Sequence, residues 1–150
     1  MSEGHTIEVV ELAPTPAVVL PRRVATESLG DEIGRGIQRV RAAVTAARVP
    51  VAGAPFVRYL AMGPEMELEI GLPLKGSHSV PSLRATLLPG GTAATTWHTG
   101  PYTGLPGALA DIEAWIAENA TSAGDPWESY ATAPDADPPR TQVVWPVTLP

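Results

Sequence analysis

The chain has 150 residues, 44% of them hydrophobic, and a formal net charge of −6. That length and composition suit one globular domain with a sizeable core. The acidic balance argues against broad contact with nucleic acid, whose phosphates call for a basic face. The absence of cysteine excludes disulfides, thiolate metal sites and cysteine nucleophiles together. No apolar run reaches membrane-spanning length, and Met1-Ser2-Glu3-Gly4-His5 shows no basic region leading into an apolar one. A cytoplasmic protein without a membrane partner is the expectation.

Seventeen prolines and 14 glycines predict short strands bounded by many turns. Ile7–Leu12 and Ala17–Pro21 read as two strands around the turn Ala13-Pro14-Thr15-Pro16, on β-branched enrichment and proline punctuation. A helical pattern follows, with Ile33, Ile37, Val40 and Val44 on one stripe, Asp31 as N-cap and Pro50 as terminator. Gly34 and Gly36 either weaken its first turns or permit close packing on a sheet.

Phe56–Leu60 and Glu65–Ile70 are the next strands. Glu65, Glu67 and Glu69 alternate with Met66, Leu68 and Ile70, which predicts one wet and one packed face. Lined up along a groove, the same glutamates would attract cations. Lys75–Ser79 reads as a linker.

The second half repeats the order. Ser82–Leu88 is a strand, Pro89-Gly90-Gly91 a hairpin turn, and Thr92–His98 the returning strand. Thr103 can cap a helix carrying Leu105, Leu109, Ile112 and Ile116, with Pro106 tolerated in its first turn. Asn119–Asp125 is a loop. Trp127–Thr132 and Gln142–Val147 are the closing strands, joined by an exposed, charged and proline-rich connection, Ala133–Arg140.

Laid side by side, the halves match. Pro55-Phe56-Val57-Arg58-Tyr59 aligns with Pro126-Trp127-Glu128-Ser129-Tyr130, and Leu72-Pro73-Leu74 with Trp145-Pro146-Val147. This is an internal duplication, roughly 7–75 and 82–150, within a single domain spanning 1–150. The expected fold class is α+β: two β-β-α-β-β modules related by a pseudo-twofold and sharing a curved antiparallel sheet. Two helices cover one face, leaving the opposite face or the seam between halves as a central groove, where ligands commonly bind.

Three motifs carry a family resemblance. They are Trp97-His98-Thr99-Gly100-Pro101-Tyr102-x-x-Leu105, Trp127-Glu128-x-Tyr130-x-x-x-Pro134 and Val144-Trp145-Pro146-Val147. Their order and spacing resemble the GyrI-like small-molecule-binding domain, the effector-binding domain of bacterial multidrug-sensing activators, here as a stand-alone member. The resemblance implies SHS2-type modules and a groove that takes hydrophobic or cationic molecules on aromatic rings around a glutamate, matched here by Glu128. It also implies two alternatives: hydrolysis of strained cyclopropane-bearing genotoxins with Glu128 as catalytic base, and a protein partner such as gyrase. No DNA-binding domain accompanies the motifs.

Strand alternation puts Glu128 and Tyr130 on one face of their strand and Trp127 with Ser129 on the other. Tyr59 is the repeat mate of Tyr130. Glu128, Tyr130, Tyr59, Trp97 and Tyr102 are therefore the ligand-binding candidates, weighed against a surface glutamate and ordinary core aromatics. Trp115 fits the core of its helix. The three histidines lack ligand spacing, so no metal is expected, and His98 reads as a strand histidine beside a turn. No P-loop, dinucleotide or Gly-x-Ser-x-Gly motif is present, and no cofactor is expected. Where the second half has Glu128 the first has Val57, so the repeated scaffold does not itself require the carboxylate.

Overall fold

A computed structural model describes residues 5–132 and 135–150. Met1–Gly4, together with Ala133 and Pro134 of the proline-rich connection, lie outside the described residues. Strands and helices follow in chain order. They are β1 (Glu8–Leu12), β2 (Thr15–Ala25), α1 (Leu29–Ala47), β3 (Phe56–Ala61), β4 (Glu65–Pro73), β5 (Arg84–Leu88), β6 (Gly91–Thr99), α2 (Leu105–Asn119), β7 (Thr121–Ser122), β8 (Trp127–Tyr130) and β9 (Arg140–Thr148). The α+β expectation holds, with every strand pairing antiparallel in the ladders below.

The chain divides into two compact units that interleave along the sequence. One is the contiguous run Pro14–Pro89. The other, composite, joins the described residues up to Ala13 with Gly90–Pro150.

In the contiguous unit the strands run β5-β2-β4-β3, and α1 packs on β2 and β4. Its buried stripe is Gly36, Val40 and Val44, flanked by half-buried Ile33 and Ile37. Gly36 resolves the question its sequence posed. A Cβ there would stand 2.3 Å from Cδ1 of the fully buried Ile70, so the glycine brings helix and sheet together. Gly34 has nothing within 4 Å of the same position. Asp31 is not the N-cap: a 3-10 turn at Thr26–Ser28 precedes the helix, Ser28 is the cap residue, and Asp31 sits in the first turn. There its charge still suits the helix dipole. β2 runs four residues past its expected end because Arg22–Ala25 keep pairing with Leu68–Glu65 of β4. Pro21 lies beyond the last β2–β5 pair, Val19–Arg84, where a missing N–H is tolerated.

The composite unit repeats this plan as β1-β6-β9-β8, with the short β7 also on β9 and α2 packed on β6 and β9. Leu105, Ala108, Ile112 and Ile116 are its buried stripe; Leu109 is half-buried. Thr103 falls in a 3-10 turn, Tyr102–Gly104, so Gly104 rather than Thr103 holds the N-cap position. β7 adds a two-residue strand where a loop was expected.

The registers of the two units coincide. Val57 opposes Ile70 and Tyr59 opposes Leu68 in one; Glu128 opposes Val143 and Tyr130 opposes Thr141 in the other. Arg84 opposes Val19 as Glu8 opposes Thr95. The edge strands, however, come from the opposite halves of the sequence. β5 pairs with β2, and β1 pairs with β6. Pro89-Gly90-Gly91 is therefore not a hairpin turn, since β5 and β6 are not partners; it carries the chain from one unit to the other.

A second correction concerns β4. Glu65 is exposed and Glu67 half-buried, but Glu69 is only 6% exposed. The wet face expected from the alternation ends before Glu69. Arg58 and Arg84, both on its side of the sheet by register, each bring a guanidinium nitrogen to 3.9 Å from its carboxylate. Glu69 Oε1 and Arg58 Nε are buried without a hydrogen-bond partner.

Candidate functional site

β8 is short and enclosed: Trp127, Glu128 and Tyr130 are 5%, 2% and 7% exposed. Residues two apart on a strand share a face. Tyr130 uses that geometry to donate its phenol O–H to Glu128 Oε1 at 2.9 Å. Burying a carboxylate is costly unless donors replace the water it loses, and this phenol is one of them.

The ring of Tyr130 meets that of Tyr102, with centroids 5.5 Å apart and planes inclined at 41°. Tyr102 belongs to the 3-10 turn leading into α2. Burial raises the Tyr102 phenol above its ordinary range, and the nearby Glu128 charge pushes it further the same way. The Tyr102 phenol is therefore a neutral donor at ordinary pH, beside a carboxylate and the Tyr130 ring.

Cross-strand pairs extend the site. His98, Thr141 and Tyr130 lie directly opposite one another on β6, β9 and β8, as do Thr96, Val143 and Glu128. His98 is also the side chain against the start of α2, where a Cβ on Gly104 would stand 2.4 Å from its ring. Glu128 and Tyr130 thus lie on the sheet face that carries α2, not on the face opposite it. Thr141 Oγ1, between them in register, is buried with no hydrogen-bond partner.

Of the sequence candidates, Glu128, Tyr130 and Tyr102 come together. Trp97 does not join them: its register neighbours are Gln142 and Ser129, on the other face. It is 40% exposed, and the Arg140 guanidinium sits 4.3 Å from its ring centroid in a cation–π contact. Tyr59 lies in the contiguous unit, 5% exposed, at the register position that Tyr130 holds in the composite one. Trp127 is buried, although it lies on the strand face that Ser129 shares and not on the face of Glu128 and Tyr130. Among the described residues no cluster of His, Cys, Asp and Glu could hold a metal ion. No helix among them is long and apolar enough to cross a membrane.

Sequence reasoning missed Thr141, which lies between Arg140 and Gln142 and whose opposite neighbours cannot be read without the register. It also missed His5 and Asp111. His5 donates its backbone N–H to Asp111 Oδ2 and has its ring against both Asp111 and His98, partners 106 and 93 positions away.

No protein-family model matches the sequence, and no curated protein matches it significantly. Solved structures do. The C-terminal domain of EcmrR superimposes with a TM-score of 0.83 at 19% identity, covering 97% of this chain and 99% of that one. EcmrR in its complex with DNA gives 0.84 at 18% identity, with 97% of this chain spanning 58% of that one. SAV2435 bound to tetraphenylphosphonium gives 0.68 at 14% identity, over 95% and 94% of the two chains. At these identities the likeness establishes the fold.

Proposed function

With a GyrI-like effector-binding fold as its premise, we propose that this protein binds hydrophobic small molecules, cationic ones above all, at the Glu128–Tyr130–Tyr102 group. The observation that carries the reading is a carboxylate only 2% exposed, hydrogen-bonded by one tyrosine whose ring meets another. A lipophilic cation beside Glu128 would recover the electrostatic stabilisation that burial removes from the carboxylate. The faces of Tyr102 and Tyr130 would add cation–π attraction of about 0.5–2 kcal/mol per good contact. The Thr141 hydroxyl supplies a polar group for ligands that carry an acceptor. SAV2435, of the same fold, is known with tetraphenylphosphonium bound, which supports the choice of ligand class. A role in multidrug recognition follows if several such cations share the site.

Tryptophan fluorescence titrated with tetraphenylphosphonium tests this. Saturable quenching is expected, weakened roughly tenfold or more by Glu128→Gln, the scale of one lost charge-assisted contact. A neutral aromatic dye of similar size should lose little. Absence of saturation, or equal losses for cation and neutral dye, would overturn the assignment.

A second reading shares these residues. The Tyr130 donor beside the Glu128 carboxylate is an arrangement that can activate water toward a strained electrophile. Turnover of a cyclopropane-bearing alkylating compound, abolished by Glu128→Gln with the fold intact, is its test; binding without product counts against it.

A further inference from the structure

His5, His98 and Asp111 take no part in the reading above. The contacts form one line. Asp111 Oδ2 is 2.7 Å from His5 Nδ1, His5 Nε2 is 3.1 Å from His98 Nδ1, and His98 Nε2 is 2.8 Å from the carbonyl oxygen of Pro101. The two rings are 5.3 Å apart, and His98 is 9% exposed. The His5 backbone N–H also donates to Asp111 Oδ2, at 3.1 Å.

The ends of this line decide its protonation. A carbonyl oxygen and a carboxylate can only accept, so His98 Nε2 and His5 Nδ1 must both carry hydrogens. One further hydrogen lies between the rings, on either facing nitrogen. With every contact of the line made as a hydrogen bond, the pair holds three hydrogens on four nitrogens, which is one imidazolium charge shared by two histidines. Two neutral rings would leave a lone pair of His5 facing either the Asp111 carboxylate or the lone pair on His98 Nδ1. Two imidazoliums would set N–H against N–H between the rings. The hydrogen bonds from His5 hold the Asp111 carboxyl below the usual carboxylate range, in keeping with an acceptor at that end of the line. Among the described residues Asp111 of α2 is the charged group hydrogen-bonded to the pair. β9 places uncharged Thr141 opposite His98, and Glu8 of β1 pairs with Thr95, on the other sheet face.

We propose that His5, His98 and Asp111 form a one-proton latch that fastens the segment ahead of β1 onto α2 and fixes the Pro101–Tyr102 turn. With a single proton the line is complete. Loss of that proton breaks one of the two ring contacts of His5, to Asp111 or to His98, and gain of a second parts His5 from His98. Because His98 grips Pro101 and the next residue, Tyr102, stacks on Tyr130, the latch also sets the aromatic wall beside Glu128. That regulatory link rests on the proposed ligand site; the latch itself does not.

The whole chain, free of ligand, gives the test. It has three histidines, so ring ¹⁵N spectra followed with pH resolve each one, and His78 serves as the internal control. His5 and His98 are expected to titrate as a coupled pair that shares one proton over a pH range in which the His98 hydrogen stays on Nε2. Asp111→Asn supplies the sharper test. Its amide can donate to His5 Nδ1, so the line is satisfied by two neutral rings. The Thr6 and Ile7 amides, which shift as wild type loses its proton, should then hold their positions at high pH. Independent titration of His5 and His98, or the same high-pH change in Asp111→Asn as in wild type, would overturn the latch. Tetraphenylphosphonium affinity measured across the same range reports the link to the site. A pH-independent affinity with an intact latch removes the link alone, and no binding at any pH removes the ligand reading alone.

Discussion

Tyr130 and Glu128, two positions apart on one strand, are joined by a 2.9 Å hydrogen bond in which the phenol donates to a carboxylate that is 2% exposed. A bond to a charged group contributes about 1.5–3 kcal/mol. Tyr130→Phe should therefore lose stability of that order in urea unfolding. In a double-mutant cycle with Glu128→Gln the two losses should fall short of additivity by more than about 0.5 kcal/mol. Simple addition would show that the bond is not a stabilising feature.

Tyr102 should ionise above the ordinary tyrosine range, first because it is buried and second because Glu128 is near. Its folded pKa is raised, so its contribution to stability is full below about pH 10 and is lost as pH rises through the folded value. Absorbance titration in the tyrosinate band checks the value. Glu128→Gln should bring it part of the way down, because burial remains.

Glu69 gives a ranking. Arg58 is largely enclosed, its side chain 20% exposed, whereas that of Arg84 is 65% exposed. Arg58→Met leaves a buried carboxylate with its more solvated partner only, and should cost about 3 kcal/mol or more. Arg84→Met should cost about 0–1 kcal/mol, as exposed pairs do. Replacing both members, Glu69→Leu with Arg58→Met, should recover most of the loss. Chemical denaturation of the three variants decides it, and equal effects of the two arginines would contradict the burial argument.

The glycines of α1 make a paired experiment. Gly34→Ala meets no neighbour and should gain about 0.5–1 kcal/mol from helix propensity. Gly36→Ala gains the same propensity but drives a methyl into Ile70, a collision that costs about 1–3 kcal/mol. Opposite signs in thermal melts are the expected result.

The sequence shows its repeat openly because Pro55–Tyr59 and Pro126–Tyr130 keep one register, and in-register strands must keep their side-chain order. The helical stripes were legible for the same reason: Val40, Val44, Ile112 and Ile116 recur at the helical period and are buried. Glu69 was not legible. Period-two reasoning assumes that one face stays wet along the whole strand, and β4 passes from an exposed end to an enclosed one. The pairing of β5 with β2 was hidden because a Pro-Gly-Gly turn between two strands ordinarily closes a hairpin. His5 and Asp111 were beyond reach, since no local spacing connects residues 106 positions apart.

The exchanged edge strands bear on how the chain can be divided. β1 and β5 are the first strands of the two sequence halves, and each completes the sheet built by the other half. A cut in Lys75–Ser79 would leave two peptides, each holding the strand its partner lacks, so neither could shield its own sheet edge alone. The two sequence halves are therefore bound to one another by pairing and not by the covalent link alone, even though they differ at one shared register position, Glu128 in one and Val57 in the other.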